Sequence, residues 1–288
     1  MANLFSGLEA FGLGKMANLD VYPSNEKNKK TGEDGAEAAE KVKIVEADYI
    51  FDKSYTCPVC DKEIKSKTIK TGRVKLISAD TDLRPKYQHI DSLKYDAIVC
   101  THCGYAALNR FFNYMTSVQA KLIKEQISAS FKGIGTEGDI ISYDDAIARH
   151  KLVLVNTIVK RSKLSERAYT CLKTAWLIRG KVEYLITEKL QVDTPDNNVI
   201  IQLKKEELEF ITHAYEGFVE AFSKEMFPMC GMDENTMTYL VADLARRVGK
   251  YDESSRWISK VLISRDANER IKDKARDLKE MLKQKYER

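Results

Sequence analysis

No stretch of the 288 residues approaches the roughly 20 consecutive apolar side chains that a membrane-spanning helix needs. The opening MANLFSGLEAFGLGKM has neither the basic n-region nor the unbroken apolar segment of a secretory leader, so the expected location is cytoplasmic. Charge of one sign is lacking as well. Forty-seven Lys and Arg against 43 Asp and Glu leave +4, too little for the chain as a whole to demand a polyanionic partner. Missing too are a P-loop, the glycine fingerprint of a dinucleotide site and the serine elbow of a hydrolase. GIGTEGD at 133–139 is rich in glycine, but no strand clearly leads into it, which makes it a poor phosphate cradle.

What is present is enough apolar residue, 43%, to build real cores, in a chain long enough for two domains. The composition changes along its length. Residues 1–22 carry Leu4, Phe5, Leu8 and Phe11 at spacings that line one side of a short helix, and this apolar segment is expected to dock back on the body, the alternative being an exposed peptide for a partner. Residues 23–45 are polar and charged with little to bury, as in a flexible linker. From 46 to 106, β-branched and aromatic residues come in short runs. EIKSKTIK and RVKLIS, separated by Thr71-Gly72, read as a β-hairpin, and YDAIVC reads as a further strand that delivers Cys100. Residues 107–288 read as helical throughout, with breaks at 133–139, around Gly180, at 193–198 and at 227–233. Within them, residues 238–264 place small Ala242 and Ala245 on one helix, Gly249 and Tyr251 at the turn, and Ser254, Ile258 and Val261 on the next. That pattern suits a tetratricopeptide-like hairpin, in which small residues let antiparallel helices approach. The expected fold class is α+β: a small β-rich, zinc-ribbon-like module, then an all-α domain of stacked, tetratricopeptide-like helical hairpins.

The chemistry sits in the cysteines. Four of the six form two Cys-x-x-Cys units, Cys57-Pro58-Val59-Cys60 and Cys100-Thr101-His102-Cys103, 39 residues apart. Each unit supplies two thiolates at the separation a tetrahedral metal requires, and two units complete a four-sulfur shell. Asp61 and Gly104 follow the units at the position where such a knuckle turns left-handed. Thioredoxin-type redox chemistry fits less well, because CPVC leads into a strand and not into a helix N-terminus. The expectation is one structural zinc ion on Cys57, Cys60, Cys100 and Cys103, with iron as the other thiophilic choice. His102 and His89 are spare candidate ligands; Cys171 and Cys230 lie on apolar stretches and read as inert.

The segments CPVCDKEIKSKTIKTGRVKLISADTDLRPKYQHIDSLKYDAIVCTHCGYAA, NLFSGLEAFGLG and AYTCLKTAWLIRG resemble the bacterial domain-of-unknown-function family numbered 2225. The resemblance is strong from residue 3 to about 180 and looser beyond. It implies a cytoplasmic bacterial protein with a cysteine metal site at those four positions and tetratricopeptide-like helices, and it brings no activity with it.

Two further clusters offer rival functions. Residues 62–75 hold Lys62, Lys65, Lys67, Lys70, Arg73 and Lys75 against Glu63 alone. A basic hairpin of that kind could track phosphates, with Lys65, Lys67, Lys70, Arg73 and Lys75 on the backbone and Tyr87 or Tyr105 stacking on bases. It equally suits exposed strands kept soluble by lysine, or bases that offset the charge of a four-thiolate site. Asp80, Asp82, Arg84 and His89 crowd one loop and form the only candidate for an enzymatic site, although an Asp–Arg pair stiffening the loop explains most of it. The leading expectation is a non-enzymatic protein whose zinc module is structural and whose helices take a protein or peptide partner.

Overall fold

The computed structural model describes residues 7–14, 46–135, 138–189 and 197–286. The fold is α+β, as expected: short antiparallel strand pairs come first and seven α-helices follow among the described residues. Strand β1 (Ile50–Thr56) pairs with β2 (Glu63–Ile69), β3 (Leu76–Ala79) with β4 (Pro85–Tyr87), and β5 (Ala97–Val99) with β6 (Ala106–Leu108).

Two of these pairings correct the sequence reading. The hairpin expected across Thr71-Gly72 does not form; β2 folds back on β1, in register from Ile50 opposite Ile69 to Thr56 opposite Glu63. The Cys57–Asp61 turn lies between those strands and brings them together, whereas Lys70–Arg73 is an ordinary turn leading on to the separate β3–β4 pair. Helix also does not begin at residue 107. Ala106–Leu108 is strand β6, fully buried, because its partner β5 needs an antiparallel neighbour across the second cysteine turn.

The helices are α1 (Ser117–Ile123), α2 (Tyr143–Val159), α3 (Leu164–Lys189), α4 (Asn197–Lys224), α5 (Glu234–Arg247), α6 (Tyr251–Ile263) and α7 (Glu269–Tyr286). Polar caps set several starts. The Thr116 hydroxyl accepts from the Gln119 amide in a full capping box, and Ser142 and Asp233 accept from Asp145 and Thr236. The break expected around Gly180 is absent, and α3 runs straight through it. Glycine is needed there for closeness: a Cβ would lie 2.7 Å from the Asp91 carboxylate and 3.0 Å from the Tyr143 ring. Packing won over helix propensity at that position.

One apolar core runs from the strand region into the helices. Val59, Ile64, Ile98 and Leu108 share it with Leu152 and Val155 of α2, Leu172 and Leu177 of α3, and Phe210 and Phe218 of α4. The described part of the N-terminal segment joins it. Phe11 and Leu13 are buried, and the Lys132 amide donates to the Phe11 carbonyl at 2.9 Å. The expected linker at 23–45 lies outside the described residues. A second cluster fills the space between α5, α6 and α7, where Ala242 is fully buried and the Ser254 hydroxyl donates to the Ala242 carbonyl at 2.7 Å.

His150 on α2 is fully buried. Its Nδ1–H donates to the Ala146 carbonyl at 2.8 Å, and Nε2 finds no partner among the described residues. Burial pulls its pKa down to about 4 from an ordinary 6.5, with Asp96 opposing and Lys173 and Arg149 reinforcing the shift. Above pH 6.5 the ring is neutral folded or unfolded and costs nothing; below it the unfolded chain gains a proton that the fold refuses. Chemical denaturation should therefore show stability falling by roughly 3 kcal/mol between pH 6.5 and 4, with a shallower slope in His150→Gln.

Candidate metal centre

The two cysteine units occupy the turns of the β1–β2 and β5–β6 pairs, and both turns are built alike. In the first, the Cys57 amide donates to the Lys62 carbonyl (3.0 Å) and the Asp61 amide to the Cys57 carbonyl (2.9 Å). In the second, the Cys100 amide donates to the Tyr105 carbonyl (2.7 Å) and the Gly104 amide to the Cys100 carbonyl (3.0 Å). Asp61 (φ 58°) and Gly104 (φ 73°) take the left-handed conformation anticipated for them.

These equivalent turns bring the four sulfurs within 4.8 Å of one another. Cys57 Sγ lies 3.6 Å from Cys103 Sγ, and Cys60 Sγ lies 3.6 Å from Cys100 Sγ. A tetrahedral shell with metal–sulfur bonds of ~2.3 Å places its sulfurs ~3.8 Å apart, whereas a disulfide needs ~2.05 Å. All four thiols are free, three are buried and Cys60 is half-buried. The spacing suits a metal and excludes cross-linking. Hydrogen bonds from Cys103 and Cys57 pull the Cys100 thiol down to about 2, while Cys57, facing Cys100, is pushed up to about 12. Protons held on such crowded sulfurs are those a divalent ion displaces, so metal uptake here releases protons. Four sulfurs close the shell and leave no position for substrate.

The helices fix the second turn. The Ser128 hydroxyl, in the π-helical turn Lys124–Ser128 that extends α1, donates to the Cys103 carbonyl at 2.8 Å; Asn156 Nδ2 on α2 donates to the Gly104 carbonyl at 3.1 Å. A Cβ on Gly104 would lie 2.7 Å from the Phe131 ring. Neither anchor was visible in the sequence, since serine and asparagine on helices carry no metal signature. His102, the spare ligand of the second unit, is exposed.

Asp80, Asp82 and Arg84 are tied into ion pairs with the helices. Arg179 of α3 grips Asp82 through two nitrogens (3.0 and 2.7 Å), Asp80 at 3.0 Å and Glu207 of α4 at 2.7 Å. Arg84 makes a two-pronged contact with Glu183 of α3 (3.1 and 2.7 Å). On α5, Arg247 reaches Asp243 at 2.7 Å and Asp82 at 3.4 Å, and the Thr81 hydroxyl donates to Asp243 at 2.9 Å. Asp82 and Asp243 are both 0% exposed, so each depends on these cations. Burial drives the Asp82 carboxyl upward, but Arg179 and Arg247 outweigh it and hold the group below its ordinary range. His89 takes no printed part in that network; it is exposed and stacks on Tyr49 at 6.0 Å. The Asp–Arg loop pairing was foreseen, but its helical partners Arg179, Glu183, Glu207, Asp243 and Arg247 were not.

The basic run 62–75 is not a hairpin, and its cations have unequal freedom. Lys67 pairs with Asp52 at 3.3 Å and Lys70 donates to the Asp48 carbonyl at 3.1 Å, whereas Lys62, Lys65, Arg73 and Lys75 are exposed. Tyr105, expected as a stacking platform, is 0% exposed with its hydroxyl donating to the Phe112 carbonyl at 2.9 Å; the core needs its ring more than the surface does. Cys171 and Cys230 are buried, and burial pushes both thiols up, as befits inert residues.

Elemental analysis of Cys100→Ser should show loss of most bound metal, because three sulfurs no longer close the shell. Gly104→Ala should destabilise the protein by at least about 1 kcal/mol in urea melts, since the left-handed backbone and the Phe131 contact both oppose a methyl group. Asp82→Ala should cost roughly 3–5 kcal/mol, because it leaves Arg179 and Arg247 short of a buried counter-charge.

Among the described residues no helix is long and apolar enough to cross a membrane. No curated protein and no solved structure matches the chain. A family described as an uncharacterized protein conserved in bacteria, DUF2225, matches residues 50–282, a span that takes in both cysteine turns, the ion-paired loop and all but the last residues of α7. The chain belongs to this bacterial DUF2225 family.

Proposed function

We propose that the chain is a non-enzymatic bacterial protein in which one structural zinc ion, held by Cys57, Cys60, Cys100 and Cys103, staples the two cysteine turns together, and in which the helices supply a docking surface for a protein or peptide. The observation that carries this reading is the closed, largely buried cluster of four sulfurs, which suits structural zinc and has no open position for a reacting ligand. Zinc is preferred to iron because a redox-silent ion fits a purely structural role. Six free cysteines favour a reducing compartment such as the cytoplasm. For the helical part, support comes from the tightly approached α5–α6 pair with α7 behind it, a tetratricopeptide-like stacking, and from large apolar side chains left in solvent: Met226 is 89% exposed and Ile263 80%.

The rival readings have less to stand on. An enzyme built around Asp80, Asp82, Arg84 and His89 finds three of those groups paired with helical residues. Strand-wide tracking of phosphates loses Lys67 and Lys70 to their own pairs.

The protein purified from its native host should carry about one zinc per chain, as a complete four-sulfur shell requires. A partner should co-purify with it and be lost from Met226→Glu or Ile263→Glu. Iron as the metal, or the same companions on all three proteins, would overturn the corresponding half of the reading.

A further inference from the structure

A cavity of about 460 Å³, within the size range of small-molecule sites, is walled by the end of β2, the β3–β4 loop, α3 and the start of α5, among other segments. Most of its open wall is apolar. Ile69, Leu83, Pro85 and Met232 line it and are only half-buried, so part of their surface is not used up by the core.

Two charges are set into this wall. Asp96 and Lys173 both line the cavity and form an ion pair, with 20% of the Asp96 side chain and 12% of the Lys173 side chain exposed. Their positions are fixed. The Asp96 amide donates to the Leu93 carbonyl (3.3 Å) and the Asp96 carbonyl accepts from the Asn109 amide (2.7 Å), so the backbone under the carboxylate is held from both sides. Lys173 lies one helical turn after Tyr169, with its ammonium 4.8 Å from that ring's centroid. Burial pushes both groups toward neutrality, but each partner outweighs it: the Asp96 carboxyl is held below its ordinary range and the Lys173 ammonium above its own. Both are therefore charged at neutral pH.

Such a wall discriminates by charge. An anion that meets Lys173 also meets Asp96, a cation that meets Asp96 also meets Lys173, and in a partly dry site the repulsion offsets the attraction. An uncharged ligand takes water away from the open edges of the pair and returns weaker hydrogen bonds. A molecule with both charges on neighbouring atoms satisfies the two at once. Its anionic oxygens take Lys173 protons not used by Asp96, and its ammonium donates to the Asp96 carboxylate, which accepts several hydrogen bonds. The rest of the wall then suits an apolar tail. We propose that this cavity binds a free α-amino acid with an apolar side chain, its carboxylate on Lys173, its ammonium on Asp96 and its side chain against Ile69, Leu83, Pro85 and Met232. The assignment needs no protein partner and survives failure of the docking reading above.

The test is isothermal titration calorimetry of the full, metal-loaded chain with L-leucine, L-methionine and L-phenylalanine. At least one should give a saturable isotherm with a Kd between about 1 μM and 1 mM. The same amino acid with its amine acetylated is an anion, and with its carboxylate amidated a cation. Each should bind at least about tenfold more weakly, as loss of one charge-assisted hydrogen bond requires. Asp96→Leu with Lys173→Met removes both charges together and leaves neither buried alone, so thermal melting should hold while binding is lost. Thr236→Phe, which narrows the cavity from α5, should abolish binding as well, and it decides the matter if the double variant does not fold. No isotherm with any of the three up to about 10 mM, undiminished affinity for the acetylated or amidated form, or binding that persists in a folded variant overturns the proposal.

Discussion

The structure turns on the demand that four sulfurs from two separate turns meet at tetrahedral spacing. Cys57 and Cys103 approach to 3.6 Å, as do Cys60 and Cys100, so each turn must lie against the other and neither can drift. Short strand pairs such as β5–β6, three residues to a strand, have little cohesion of their own. Thiol convergence gives them a fixed partner. A metal drawn into the cluster converts crowded, partly protonated sulfurs into a closed thiolate shell, and the free energy of that conversion goes into folding the strand region.

The strand region does not depend on this clasp alone. The second cysteine turn is hydrogen-bonded from Ser128 and Asn156, and the loop between β3 and β4 is gripped from α3 and α5 by Arg179, Glu183 and Asp243, with Glu207 of α4 bracing Arg179. The two fastenings differ in kind. The first uses neutral hydrogen bonds to carbonyls; the second is built around the buried carboxylates Asp82 and Asp243, which tolerate no missing partner.

The cysteine cluster was legible almost in full because its signal is local. A Cys-x-x-Cys unit followed by a residue that tolerates a left-handed backbone states both the candidate ligands and the turn within five positions, and Asp61 and Gly104 adopt that backbone. Pairing of strands was harder to read. Thr71-Gly72 looked like the tip of a hairpin, but the cysteine turn at 57–61 had the prior claim on β2, because hydrogen bonds within that turn already aim β1 and β2 at each other. Gly180 misled for a related reason. A glycine in a helical pattern signals a break when only the chain is considered, and a close neighbour when Asp91 and Tyr143 are in view.

The sequence alone determined the two cysteine turns that cluster, their left-handed residues, the passage from strands to helices and the balanced charge, all of which depend on residues near one another in the chain. Tertiary structure alone decided that β2 turns back on β1, that Tyr105 is buried rather than displayed, and that Asp82 is held by Arg179 and Arg247. The physical reason is distance along the chain. Asp82 and Arg247 lie 165 positions apart, and an arginine gives no sign in its own neighbourhood of which buried carboxylate it will neutralise. Only closure of the fold brings such partners together.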